Sequence, residues 1–154
     1  MSALPGTCPS GDEKVVLFGL LLETNARMAR DLGAELEATC ALPLAWFEVL
    51  LQLRQAPDGR LKMSQIADAI VHSTGGTTRL IDRLEEASLV ERQLCPTDRR
   101  AIHVAITAEG NRRLDDALAV HLNYLDQHLA GRLGASERRS LTSLLTKLNV
   151  PADR

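Results

Sequence analysis

Two short stretches of this 154-residue chain hold side chains whose types and spacing suit a chemical task. The first runs from Ser73 to Arg83 and carries Thr74, Gly75, Gly76, Thr78, Arg79 and Arg83. A threonine can give its hydroxyl to phosphate or its methyl to a thymine, and a guanidinium can grip guanine or phosphate. Arg79 is the best placed for such a base or phosphate contact, with Arg83 one turn further on for the backbone. The glycines each cost roughly 0.8–1 kcal/mol in a helix interior and less near its start. There, without a Cβ, they let backbone N–H groups approach an anion closely. The second stretch is Asp98-Arg99-Arg100, following Pro96-Thr97. An arginine at the tip of a ribbon suits a narrow, electronegative minor groove. A carboxylate two residues before it can hold the guanidinium by charge-assisted hydrogen bonds. The plainer reading makes Arg79 and Arg83 solvated helix residues paired with Asp82, Glu85 or Glu86, and the tip an ordinary polar turn.

The elements around these stretches have a definite order. A helical pattern from Asp12 to about Thr39 places Phe18, Leu21, Leu22, Met28, Leu32 and Leu36 at three- and four-residue steps. Pro43 opens a second helix to Gln55, and Pro57-Asp58-Gly59 is a turn. Residues 60–63 suit a short strand. Ser64 is expected to cap a helix over Gln65–Val71, and Ser73 another running to about Ala87. Only His72 and its neighbours separate the two, which demands a steep crossing, as in a helix-turn-helix. Leu89–Cys95 and Ala101–Ile106 read as two strands, the second alternating apolar and polar positions. Thr107 is expected to cap a long helix to about Leu133, closed by Gly134, and Ser136 to open a last one carrying Leu141, Leu144, Leu145 and Leu148.

The predicted fold is therefore mainly α with a small antiparallel β wing, a winged helix-turn-helix flanked by dimerisation helices. Residues 1–11 read as a flexible tail and 12–42 as an N-terminal dimerisation helix. Residues 43–107 form the DNA-binding module and 108–154 the C-terminal dimerisation helices, all in one compact domain. The outer helices have wide apolar faces that a module of this size cannot cover alone, so a second subunit is expected.

Bulk properties narrow the function class. Aromatics make up only 3% of the chain, so the core must be aliphatic. Net charge is −2, unevenly spread: residues 1–59 carry 4 Lys/Arg against 8 Asp/Glu, residues 60–113 carry 9 against 7, and residues 114–154 carry 5 against 5. The only basic third is the one proposed to face DNA, and weakly so, which predicts modest non-specific binding. Met1–Asp12 shows no basic stretch, and the longest apolar run, Val15–Leu22, is far short of a membrane span. Cys8, Cys40 and Cys95 lack metal-ligand spacing. A cytoplasmic, reduced protein is expected. No Gly-rich phosphate loop, HExxH or GxSxG occurs, so an enzyme is not expected. Neither a cofactor nor a metal is anticipated; His103, His121 and His128 have no cysteine or carboxylate at ligand spacing.

The segments GRLKMSQIADAI, STGGTTRLIDRLEEASLVER, TDRRA and VAITAEG stand in this order and together resemble the MarR family, the multiple-antibiotic-resistance-type regulators. The resemblance is close over roughly residues 43–110. It implies a DNA-binding regulator, expected to be a ligand-responsive repressor, that acts as an obligate homodimer on pseudo-palindromic double-stranded operators. It also implies that Ser73–Arg83 is the recognition helix, that Asp98 orients the wing arginine, that Arg100 enters the minor groove and that Arg99 contacts phosphate nearby. The family often has an acid at Cys95, Gly-Leu at Val71-His72, Gly at Ser88 and an aliphatic residue at Thr77. The resemblance further implies a small phenolic or anionic effector, for which Phe18, Met28, Trp46 and Phe47 are candidate pocket residues, with plain core as their alternative. Any of the three cysteines is a candidate redox sensor. The alternative function is a winged-helix module that binds another protein without DNA, a role with no need for Arg100 at a ribbon tip.

Overall fold

The structure, a computed structural model, describes residues 11–70 and 76–150. Helix α1 spans Glu13–Cys40, and Asp12 caps it by accepting from the Lys14 backbone N–H at 2.8 Å. It ends in a left-handed turn at Ala41 (φ 50°). There the Ala41 and Leu42 N–H groups reach back to the Glu37 and Leu36 carbonyls, while Leu36 and Leu42 are both fully buried. Helix α2 covers Leu44–Gln55, entered through Pro43 and turned 88° from α1. Among the described residues no single helix is long and apolar enough to cross a membrane.

Strand β1 is Arg60–Lys62 and helix α3 Met63–Ala69. Ser64 does not cap α3. The helix begins one residue before it, where the Gln65 carboxamide oxygen accepts from the Lys62 N–H at 2.8 Å. Helix α4 spans Thr77–Glu86, preceded by Gly76 at φ 79°, a conformation that favours glycine. Ser73, expected as its cap, lies outside the described residues, as do Val71, His72, Thr74 and Gly75. Strands β2 (Val90–Leu94) and β3 (Ile102–Ile106) pair antiparallel, and β1 joins the other side of β3. Val104 sits opposite both Leu61 and Arg92 and is fully buried. The alternation expected along β3 fades toward the wing, where Ile102 is exposed.

Helix α5 is Ala108–Leu125, capped by Thr107, whose hydroxyl oxygen accepts from the Gly110 N–H at 3.0 Å. It does not continue as an α-helix to Leu133. Residues Asp126–Ala130 widen into a π-helical turn, with the Gly131 N–H on the Asp126 carbonyl. Helix α6 is Ala135–Leu148. Its cap is Gly134, with Glu137 accepting from the Gly134 N–H at 2.7 Å, so Ser136 lies inside the first turn.

One aliphatic core joins these parts. Leu36 of α1, Leu50 and Leu53 of α2, Ile66 of α3, Ile81 and Leu84 of α4, and Leu114 of α5 have no exposed surface. Burying each such side chain contributes roughly 1.5–3 kcal/mol. Arg54 adds a polar tie between α2 and α5, donating to the Asn111 side chain and carbonyl and to Asp115.

Candidate nucleic-acid interface

Helix α4 is divided lengthwise. Leu80, Ile81 and Leu84 are buried against the core, while Thr78, Arg79, Asp82, Arg83 and Glu86 face solvent. The three-and-four spacing of the apolar residues forces this split, because they must share one stripe of the helix. Gly76, Thr78, Arg79 and Arg83 thus come together on one exposed flank. Ser73, Thr74 and Gly75 belong to the undescribed stretch just before it.

Asp82 and Glu85, which the plainer reading offered as partners of Arg79 and Arg83, are instead both held by Arg92. Its Nη2 lies 2.6 Å from Asp82 Oδ1 and its Nη1 2.5 Å from Glu85 Oε2. The Arg92 backbone N–H also donates to Glu85 Oε1 at 3.1 Å. These hydrogen bonds, the backbone one first, hold the Glu85 carboxyl below its usual range, and chiefly the Asp82 bond raises Arg92. Among the described residues neither Arg79 nor Arg83 has an ion pair. Arg92 was not singled out in the sequence; only its two-residue offset from the buried Val90 placed it on the side of β2 facing α4.

The β2–β3 ribbon closes through a turn in which the Cys95 N–H meets the Ala101 carbonyl and the Ala101 N–H meets the Asp98 carbonyl, both at 3.1 Å. Asp98, Arg99 and Arg100 are exposed at its tip. Asp98 does not hold the Arg100 guanidinium. Its Oδ1 accepts from the Arg100 backbone N–H at 3.0 Å, a turn-forming bond that leaves the side chain projecting. Below the tip the Thr97 hydroxyl and the Thr97 and Asp98 backbone hold the Cys95 thiol under its usual pKa.

A second feature is a cavity of about 420 Å³ that opens between α1, α2 and α5, lined by Met28, Leu32, Phe47, Leu51, His121 and Tyr124 among others. Of the four expected pocket residues, Met28 and Phe47 line it. Trp46 instead packs against the core, and Phe18 is 62% exposed on the first turns of α1. Tyr124 is 1% exposed, yet neither its hydroxyl nor His121 Nδ1 finds a partner among the described residues. The sequence offers His121 only as a discounted metal ligand and gives Tyr124 no role. Phe47 and His121 meet as tilted rings, with centroids 5.0 Å apart and planes 47° from parallel.

Residues 42–101 match the model of the MarR family. The HTH-type transcriptional regulator MhqR of Bacillus subtilis is 31% identical over 94 residues, 61% of this chain and 64% of its own length, so the match spans just under two thirds of that relative. The transcriptional repressor MprA of Escherichia coli is 25% identical over 88% of this chain and 76% of its own. Among solved structures, a MarR family transcriptional regulator of Streptomyces coelicolor, AbsC, superposes with a TM-score of 0.77 at 25% identity, covering 92% of this chain and 95% of that one. A mutant MarR from Escherichia coli complexed with operator DNA gives 0.78 at 26% identity, covering 94% and 100%.

Proposed function

Because this chain belongs to the MarR family of winged helix-turn-helix transcriptional regulators, we propose that it works as a homodimeric repressor on a pseudo-palindromic operator. Each subunit lays the exposed flank of α4, with Ser73–Gly76 at its leading end, into the major groove. Arg100 enters the neighbouring minor groove, and Arg83 and Arg99 grip phosphate. The observation that carries this reading is one surface bearing Thr78, Arg79 and Arg83 on a helix whose other side is buried, beside a ribbon tip bearing Arg99 and Arg100. Two relatives lend it support by their names: one is a transcriptional repressor and another was crystallised on operator DNA.

The dimer is argued from the outer helices, assigned here as 12–42 and 108–154 around the reading module at 43–107. Val15, Val16, Leu17, Phe18, Leu20 and Leu22 are all exposed. At 3.6 residues per turn they point around the whole circumference of α1. A helix apolar on every side belongs in an interior. Leu144, Leu145 and Leu148 of α6 are exposed as well and supply a matching surface.

The α1–α2–α5 cavity is proposed as the effector site. Its described lining carries no Lys or Arg, so a phenolic compound fits better than an anionic one, its hydroxyl meeting Tyr124 or His121. An effector that prefers one spacing of the two heads by a few kcal/mol suffices to release DNA.

The test is titration of the purified protein onto a duplex it has itself selected from a random pool. Arg83→Ala is expected to flatten the plot of log affinity against log salt by about one unit and to leave sequence preference alone. An unaltered slope would remove Arg83 from the phosphate contacts.

A further inference from the structure

We propose that Arg92 is a positioning residue that fixes the angle between the recognition helix and the wing, so that both grooves are read by one rigid body. The inference rests on the DNA-binding reading and deepens it. Asp82 and Glu85 stand three residues apart on the flank of α4 that faces β2, and a single guanidinium spans both. Glu85 is fixed a second time by the Arg92 backbone N–H, so the strand's main chain as well as its side chain is tied to the helix. A planar fork held at two carboxylates resists both sliding and rotation, which one ammonium on a flexible stem cannot do.

The arrangement matters more for geometry than for stability. Asp82 and Glu85 are partly open to solvent, and ion pairs of that kind contribute little to folding. A displacement between α4 and the ribbon would nonetheless be felt at the DNA. Thr78 and Arg79 lie on one element and Arg99 and Arg100 on the other, and both sets must reach adjacent grooves together.

Positioning makes a prediction opposite in sign to charge. Asp82 is an acidic side chain on the helix proposed to enter DNA, so on charge alone Asp82→Asn should strengthen binding to any duplex. As a leg of the clamp, its loss should instead lower the preference for the right sequence. The experiment compares Asp82→Asn, Arg92→Ala and the triple neutral variant D82N/E85Q/R92A with the unmodified protein. Each is titrated onto the duplex selected by the unmodified chain and onto a scrambled duplex of equal composition, with a thermal melt alongside. Expected is a fall of about tenfold in the selected-to-scrambled ratio for Arg92→Ala and a smaller fall for Asp82→Asn, with the salt slope kept. The triple variant should remain impaired. The proposal is overturned by an unchanged or raised ratio in Asp82→Asn, or by recovery in the triple variant, which would reduce Arg92 to a neutraliser of charge. A slope flattened by about one unit in Arg92→Ala would make it a direct phosphate contact and overturn it equally. Should Arg92→Ala fail to fold, the sign of the Asp82→Asn change still decides. Failure of the unmodified protein to select any duplex would instead sink the DNA-binding reading itself.

Discussion

Arg100 and Tyr124 show two opposite ways in which a side chain is made available. Arg100 is exposed because its turn uses the Asp98 carboxylate to bind main chain and so leaves the guanidinium projecting. Replacing it with alanine removes no buried contact. Operator affinity should therefore fall by about tenfold or more, while the thermal melt stays where it was; affinity within twofold of the unmodified chain would deny it the minor groove. Tyr124 is the reverse, an enclosed hydroxyl that has no partner among the described residues. Burial alone holds the His121 imidazole below its usual pKa of 6.5. With the folded value depressed, the unfolded chain takes up the proton first, so stability present above about pH 6.5 is lost on acidification. Melting temperatures compared at about pH 8 and about pH 5.5 should fall for the native chain and fall less for His121→Phe. Equal falls would clear His121 of the effect. Of these residues the sequence announced only Arg100, because a charged triplet after Pro-Thr is a local signal. Arg92 and Tyr124 acquire their roles from partners on other elements, which spacing along the chain does not reveal.

At the level of elements, periodicity and turn signals located the α-helices and strands among the described residues, and most departures fall toward their ends. Ser64 and Ser136 have side chains suited to capping, yet the caps lie two positions earlier, at Lys62 and Gly134, where Gln65 and Glu137 reach back and take the backbone N–H groups. The π-helical turn at Asp126–Ala130 left no trace in the leucine stripe, since one extra residue per turn barely disturbs a wide apolar face. Ser88 is the informative exception. It leaves α4 at φ 62°, a left-handed conformation that costs an L-residue roughly 1–2 kcal/mol. Its carbonyl accepts from the Thr107 hydroxyl at 2.7 Å, which helps hold the turn. Ser88→Gly keeps that carbonyl and relieves the strain, so it should stabilise the fold by about 0.5–1 kcal/mol in chemical denaturation after the cost of a freer unfolded chain. A destabilised variant would mean that the serine side chain holds the turn in a way its backbone does not show.

For the molecule as a whole, the weakly acidic chain and the DNA-reading proposal are reconciled by distribution, with the basic excess confined to residues 60–113. On the proposed reading a second copy covers the exposed aliphatic girdle of α1 and α6, and two copies would present two helices and two ribbon tips to one duplex. The dimer should persist on dilution to low micromolar concentration in sedimentation experiments, and a monomer there would leave that girdle unexplained. The most direct measurement of the central claim is a hydroxyl-radical footprint of the native protein on its selected duplex. The account predicts two protected windows related by a two-fold axis and separated by about one helical turn. A single window without a symmetric mate, or no protection at all, would contradict it.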